Sequence, residues 1–359
     1  MSARTAECER GDWKGQIRSF PTTRYQGSKR RLLPWLGEEL SGLDFDTALD
    51  LFSGTASVSY LLKALGKEVT SNDQLSFNRE IAEALVVNEE ARLAPEGLLD
   101  LGTVVADRSY ERLIEREFEG VFYLGEENRW LDTAIQNLHG DFSGFERSLG
   151  LYALFQACLS KRPYNLFHRA NLSMRTADVE RSFGNKKTWE RSFEDHCSKH
   201  LSGANAAVFF SGRSHRAVSH DFRAVDGDFD LVYMDPPYTP ERGRGVDYLD
   251  FYHFLEGLMN YLDWGERIDR SKKHLPWTAK EPNPWCDVDL VRGAFEEAFD
   301  RYRHSTLVVS YRDDGQPSIS DIVSTLRAAG RPEPRVRSRP YQYALSRKSS
   351  QEVLIISEP

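Results

Sequence analysis

At 359 residues, the chain is long enough to bury a full core, and its 40% hydrophobic and 28% charged content is that of an ordinary globular protein. No apolar run approaches the roughly 18 residues of a membrane span, and the polar stretch Met1 to Gly11 lacks the apolar core of a signal peptide. The net charge of −8 argues against a uniformly basic nucleic-acid binder, and the scattered Cys8, Cys158, Cys197 and Cys286 show neither zinc nor redox spacing, which suits reduced thiols in a cytoplasmic protein.

In chain order, Arg24-Tyr25-Gln26-Gly27-Ser28-Lys29 precedes a helix-like stretch from Arg31 to Leu40. A first strand is predicted over Phe45 to Leu51, breaking at Phe52-Ser53-Gly54 before a helix with apolar face Val58, Leu61, Leu62 and Leu65. A second strand, Glu68 to Ser71, stops at Asn72-Asp73, and Phe77 to Asn88 reads as another helix. This strand–helix alternation predicts an α/β fold with a doubly wound, mostly parallel sheet. Between about Glu89 and Asn205 the strand rhythm disappears, leaving helical patterns such as Leu149 to Leu159. Strands resume at Ala206 to Phe210, Phe229 to Met234 and Ser305 to Ser310, the last after a helix at Val288 to Tyr302. A helix at Ile319 to Ala329 and an edge hairpin, near Arg335 to Leu345 and at Glu352 to Ile356, complete the pattern. The expected organisation is a core of residues 1–89 and 206–359, split by an inserted helical region, residues 90–205.

Charge is unevenly distributed. Between Lys161 and Lys199, nine cations (Lys161, Arg162, Arg169, Arg175, Arg181, Lys186, Lys187, Arg191 and Lys199) outnumber Asp178, Glu180, Glu190, Glu194 and Asp195. Smaller basic knots stand at Lys29-Arg30-Arg31 and at Arg335 to Arg339. The distribution fits a catalytic body with one nucleic-acid-facing edge.

The chemically most informative residues are Asp235-Pro236-Pro237-Tyr238, which close the apolar run Phe229 to Met234. Proline fixes φ and lacks an N–H, so the turn is stiff and its carbonyls point in set directions. A carboxylate and a backbone carbonyl at such a turn can accept the hydrogens of an exocyclic amino group, while the tyrosine ring can stack on a base. The turn Asp50-Leu51-Phe52-Ser53-Gly54-Thr55-Ala56 allows backbone to approach a ligand at a helix N-terminus. Asp73, ending the next strand, suits two ribose hydroxyls and equally suits a plain turn. Asp221-Phe222 precede the strand that ends at Asp235.

Taken in order, Tyr25-x-Gly27-x-Lys29, Asp50-x-Phe52-x-Gly54, Asp73, a basic insertion, Asp221-Phe222 and Asp235-Pro-Pro-Tyr238 resemble the Dam-like class of S-adenosylmethionine-dependent adenine-N6 DNA methyltransferases. The likeness runs from about Phe20 to Ile356 and implies a Rossmann-like methyltransferase sheet with an inserted target-recognition subdomain. It implies S-adenosyl-L-methionine as cofactor, with Tyr25, Gly27 and Lys29 at its methionine end above Asp50, Phe52 and Gly54. Asp73 would hold the ribose, and Asp221 with Phe222 the adenine of the cofactor. Asp235 and the Pro236 carbonyl, in a turn stiffened by Pro237, would bind the target amino group, with Tyr238 stacked on the flipped base. Two positions depart from the family's frequent glycines, Ser28 and Ala56; both are small, and cofactor binding is expected to survive.

Double-stranded DNA is the expected partner. Its phosphates and base edges would meet Lys161, Arg162, Asn165, Arg175, Lys186 and Lys187, with Arg242 and Arg244 in a Gly-rich loop beside the tetrad. No histidine spacing suggests a metal, and Trp130, Trp189, Trp264 and Trp277 read as core or interface. The same tetrad serves cytosine-N4 or RNA-adenine methylation, and a non-catalytic DNA-binding subunit can keep the fold. No nuclease motif accompanies it, so modification without cutting is expected, by a monomer, with a cognate restriction endonuclease or defence components as candidate partners.

Overall fold

A computed structural model describes residues 12–178, 186–240, 245–278, 282–341 and 350–359. Seven strands form one sheet: β1 (Thr47–Asp50), β2 (Glu68–Asn72), β3 (His215–Val218), β4 (Leu231–Met234), β5 (Thr306–Arg312), β6 (Arg335–Tyr341) and β7 (Ser350–Ser357). Their order is β3-β2-β1-β4-β5-β7-β6. The first five are parallel, and β7 joins β5 antiparallel, with β6 paired to it at the edge. The mostly parallel, doubly wound expectation therefore holds, and so does the terminal hairpin.

Period-two alternation sorts the strand side chains into two apolar layers. Ala48, Leu231, Tyr233, Val308 and Leu354 face one layer, while Leu49, Val232, Met234, Val309 and Ile355 face the other. The first layer runs without interruption into the helices Gly125–Asp141, Gly144–Ser160 and Phe193–Ala207, through residues such as Leu131, Leu154 and Leu201. At roughly 1.5–3 kcal/mol for each fully buried aliphatic side chain, this continuity ties the helical middle firmly to the sheet. Helices Val291–Arg301 and Ile319–Ala328 cover the opposite face.

The predicted strand at Ala206 to Phe210 is a correction. Helix Phe193–Ala207 runs into that segment, with Leu201, Ala204 and Ala207 buried at helical spacing. The third strand comes later, as His215-Arg216-Ala217-Val218, an edge strand that is only half-buried and so carries no apolar signature. The helix predicted over Phe77 to Asn88 is α-helical from Ser76 to Ala82 and then widens into a π turn, Glu83–Val87.

Chain order reverses beside β1: β2 and β3 extend the sheet one way, β4 and β5 the other. Ligands of open α/β sheets bind outside the strand carboxyl ends at such a switch point. The segments after β1, β2 and β4 are Phe52 to Gly54, Asp73 and Asp235 to Tyr238, so the topology gathers the motifs at one edge. Ala56, at the start of helix Ser57–Ala64, takes a left-handed backbone with φ 58° and is fully buried. That geometry accounts for glycine's use there in the family, whereas Ser28, with φ −56°, needs none. Ala56→Gly should melt near wild type, because about 1–2 kcal/mol of relieved strain is offset by a lost methyl and a freer unfolded chain. Ala56→Val should lower stability by about 1–3 kcal/mol through crowding, measured by denaturant unfolding.

Candidate active site

A cavity of about 610 Å³ opens at this edge, lined by Tyr25, Gly27, Asp50, Phe52, Gly54, Asp73, Asp221, Phe222 and Asp235 among others. Every expected cofactor residue reaches it, including Lys29, as does Pro237. Gly27 has φ 84°, and a Cβ there would lie 2.6 Å from Tyr248 Oη, so only glycine fits. The Tyr25 ring lies near-parallel to Tyr252, at 4.5 Å, and to Tyr248, at 5.5 Å, in a cluster whose other two rings are 6.2 Å apart. The same ring stands 3.4 Å from where a Cβ on Gly54 would lie.

Asp50 is buried at the end of β1. Its Oδ2 accepts from the Ser59 amide at 2.9 Å and hydroxyl at 2.7 Å. Its Oδ1 is buried with no hydrogen-bond partner among the described residues. Burial pushes this carboxyl up to about 7 against the Ser59 bonds, with Asp235 and Asp73 adding to the rise. Asp73 accepts from the Gly54 amide and the Leu75 amide, each at 2.9 Å, which fixes both carboxylate oxygens at the cavity wall. Asp221 is more open, and Phe222 lies edge-on to Trp285 at 5.2 Å.

Asp235 sits directly beyond β4. Its Oδ1 lies 2.9 Å from Lys29 Nζ and accepts from Tyr238 Oη at 2.9 Å. Burial raises the carboxyl to about 6, with Lys29 opposing the rise and Glu352 reinforcing it. Burial also works against the Lys29 ammonium, but Asp235 and Glu352 outweigh it and hold that group above the ordinary lysine value. Lys29 reaches the cavity and also faces the carboxylate after β4 and a second one on β7, at 3.0 Å. Glu352 is the member of this charged cluster that sequence reasoning missed. Its signal was a lone acid opening the apolar run Val353 to Ile356.

Pro236 is buried behind the turn. Tyr238 does not line the cavity wall beside Asp235 and Pro237; its ring stands perpendicular to Tyr311 at 5.1 Å. Trp277, expected in core or interface, lines the cavity beneath the guanidinium of Arg267, 4.9 Å from its ring.

A sequence model described as D12 class N6 adenine-specific DNA methyltransferase matches residues 25–284. The chain belongs to that family. The methyltransferase is 27% identical over 341 residues to "Type II methyltransferase M2.HphI" of Haemophilus parahaemolyticus, covering 93% of this chain and 95% of the relative. It is 25% identical over 333 residues to "Modification methylase LlaI" of Lactococcus lactis subsp. lactis, covering 85% of this chain and 48% of that protein. The family implies a methyl donor, and the cavity suits a closely held ligand: Asp50, whose Oδ1 lacks a hydrogen-bond partner among the described residues, lines it together with two glycines that admit close contact.

The expected DNA-facing residues divide in two. Lys161, Arg162 and Arg175 have buried side chains, and their charges are already engaged. Lys161 and Arg175 both pair with Glu127, at 2.7 and 2.8 Å, and both donate to the Trp189 carbonyl. Arg162 donates to the carbonyls of Leu166 and Arg169. These three are corrected from phosphate binders to internal ties that fold the segment over Glu127. Lys186 and Lys187 are exposed, the former 3.7 Å from Glu190. Asn165 is half-buried and accepts from Arg24 at 3.3 Å, beside Tyr164, 63% exposed. Arg242 and Arg244 lie outside the described residues. Lys186→Gln/Lys187→Gln should flatten the salt dependence of DNA binding by about one to two units of log–log slope, and an unchanged slope would move the DNA face elsewhere. Lys161→Met should instead cost about 3 kcal/mol of folding stability by breaking a buried pair.

Proposed function

We propose that this N6-adenine DNA methyltransferase takes S-adenosylmethionine as its donor and methylates an adenine swung out of a specific duplex site. What supports the reading is that Asp235 and Asp50, whose Oδ1 has no hydrogen-bond partner among the described residues, line one cavity and could meet an amino group and a cation there. Tyr25, Gly27, Phe52 and Gly54 would enclose the methionine end, Asp73 the ribose, and Asp221 with Phe222 the adenine ring. When bound, the donor supplies a methyl group on a positively charged sulfur, so no protein nucleophile is required.

The residues of the chain then have three tasks. Asp235 and the Pro236 carbonyl accept the hydrogens of the target amino group, freeing its lone pair from the ring and placing negative charge where positive charge develops. The rigid turn aligns the nitrogen with the methyl carbon. Tyr238, next to Asp235 though not in the cavity wall, would stack on the extruded base as it enters, returning about 1–3 kcal/mol against the few kcal/mol spent on flipping. The exposed residues of the helical region 90–205, with Lys186, Lys187 and Asn165 as candidates, would grip the duplex. We place the protein in the cytoplasm as a monomer that modifies DNA in a restriction–modification setting, in keeping with its relatives' names.

Transfer of labelled methyl to unmethylated duplex, followed by nucleoside analysis, should yield N6-methyladenine; N4-methylcytosine or no product would overturn the reading. Asp235→Ala should leave donor affinity near wild type by calorimetry and reduce turnover at least about 100-fold, the scale of losing one preorganised hydrogen-bonding group.

A further inference from the structure

Asp235 does not meet Lys29 alone. The Lys29 ammonium lies 2.9 Å from Asp235 Oδ1 and 3.0 Å from Glu352 Oε1, with lysine and glutamate side chains both closed to solvent. Ser310 Oγ on β5 donates to Glu352 Oε1 at 2.5 Å, fixing the glutamate from behind. Tyr238 Oη spans the two acids, 2.9 Å from Asp235 and 3.3 Å from Glu352. Two carboxylates thus share one ammonium whose own side chain is closed to solvent, where charges are weakly screened. Were Lys29 paired with Asp235 alone, its full charge would act on the carboxylate that must receive the substrate.

We propose that Glu352 is a positioning residue that acts through Lys29, sharing the ammonium so that Asp235 stays an effective acceptor for the adenine amino group. This rests on the function proposed above. As the nitrogen lone pair forms the N–C bond, the C–S bonding pair goes to sulfur, and the nitrogen is left with one proton too many. Asp235 takes that proton, and a second carboxylate across the lysine makes it a better base for doing so.

The other ionisable groups around Asp235 stay in place when Glu352 is neutralised. They are Asp50 on β1, with Asp73 beyond it, Tyr233 on β4 and Tyr248 on the helix Tyr248–Met259. Tyr238 adjoins it in the turn, and Tyr341 on β6 lies within the field of Asp235, Glu352, Lys29 and Arg31. Glu352→Gln keeps the shape and removes one charge. Lys29 then acts on Asp235 alone and draws its carboxyl down. The ionised form is the active one, so the rise of rate with pH moves to lower pH.

The test is single-turnover methylation of duplex DNA across the acid limb of the pH profile. For Glu352→Gln the limb should move down by about half a pH unit or more, while the plateau rate falls about tenfold. KM for DNA and calorimetric donor affinity should stay near wild type. Glu352→Asp, which retains the charge, should keep the limb near its original place. The Lys29→Met/Glu352→Gln double variant should be non-additive, since lysine and glutamate share one cluster with Asp235. Ser310→Ala should lower the plateau rate without changing KM, a result readable even if Glu352→Gln fails to fold. A slower Glu352→Gln enzyme with an unmoved limb, an additive double variant, or an unaffected Ser310→Ala enzyme would each overturn the inference. A wild-type protein that forms no N6-methyladenine would instead overturn the functional reading beneath it.

Discussion

A lysine ammonium removed from water is tolerable only where negative charge surrounds it. At Lys29 that charge comes from two strands that are far apart in sequence and separated by β5 in the sheet, with Asp235 following β4 and Glu352 on β7. The contact requires the N-terminal motif to lie across the carboxyl edge of the sheet. It also requires the terminal hairpin to add to β5 in the register that sets Glu352 opposite Arg312, beside Ser310. A one-residue slip of β7 would turn the glutamate to the other face and leave the lysine half-neutralised. The register of an edge hairpin and the chemistry of the central strand are thus one problem in electrostatics.

The cavity is made of turns, but its walls are rigid because what lies behind them is packed. Tyr25 packs in a three-ring cluster with Tyr252 and Tyr248, and Phe52 and Phe222 both meet Trp285 edge-on. Asp73 is pinned by two backbone amides. Such placement lets carboxylates act with little reorganisation, which is where most electrostatic stabilisation of a reacting group originates. The helical middle contributes from a distance. Its Glu127, Lys161 and Arg175 form an internal knot that orients the segment running through Trp189 towards Lys186 and Lys187.

Much of this was legible in the sequence. Strands β1, β4 and β5 hold apolar runs, β2 is marked by the turn at Asn72-Asp73, and the motifs at Phe52 to Gly54, Asp73 and Asp235 to Tyr238 sit where a strand stops. Less visible was anything decided by a partner distant in the chain. Whether Lys161 lies in solvent or inside depends on Glu127, and no local pattern tells an exposed arginine from one that, like Arg162, spends its donors on nearby carbonyls. Strand β3 was misplaced because half-buried edge residues such as His215 and Arg216 lack the alternation of a core strand. Glu352 escaped notice because its importance lies in the two residues it faces rather than in its neighbours. Tyr238 was read from its ring alone, whereas its hydroxyl joins the charged cluster.

The hairpin that carries Glu352 has a bearing on how the protein is made. Ribosomes deliver Lys29 early and Glu352 much later, and domains generally fold as units. A nascent chain that has emerged only through β5 carries the cavity-lining residues and the Asp-Pro-Pro-Tyr turn yet lacks the acid that completes the cluster. The final assembly of the centre therefore awaits the arrival of β7, and a prematurely terminated product would carry the recognisable motifs without a finished proton acceptor among them.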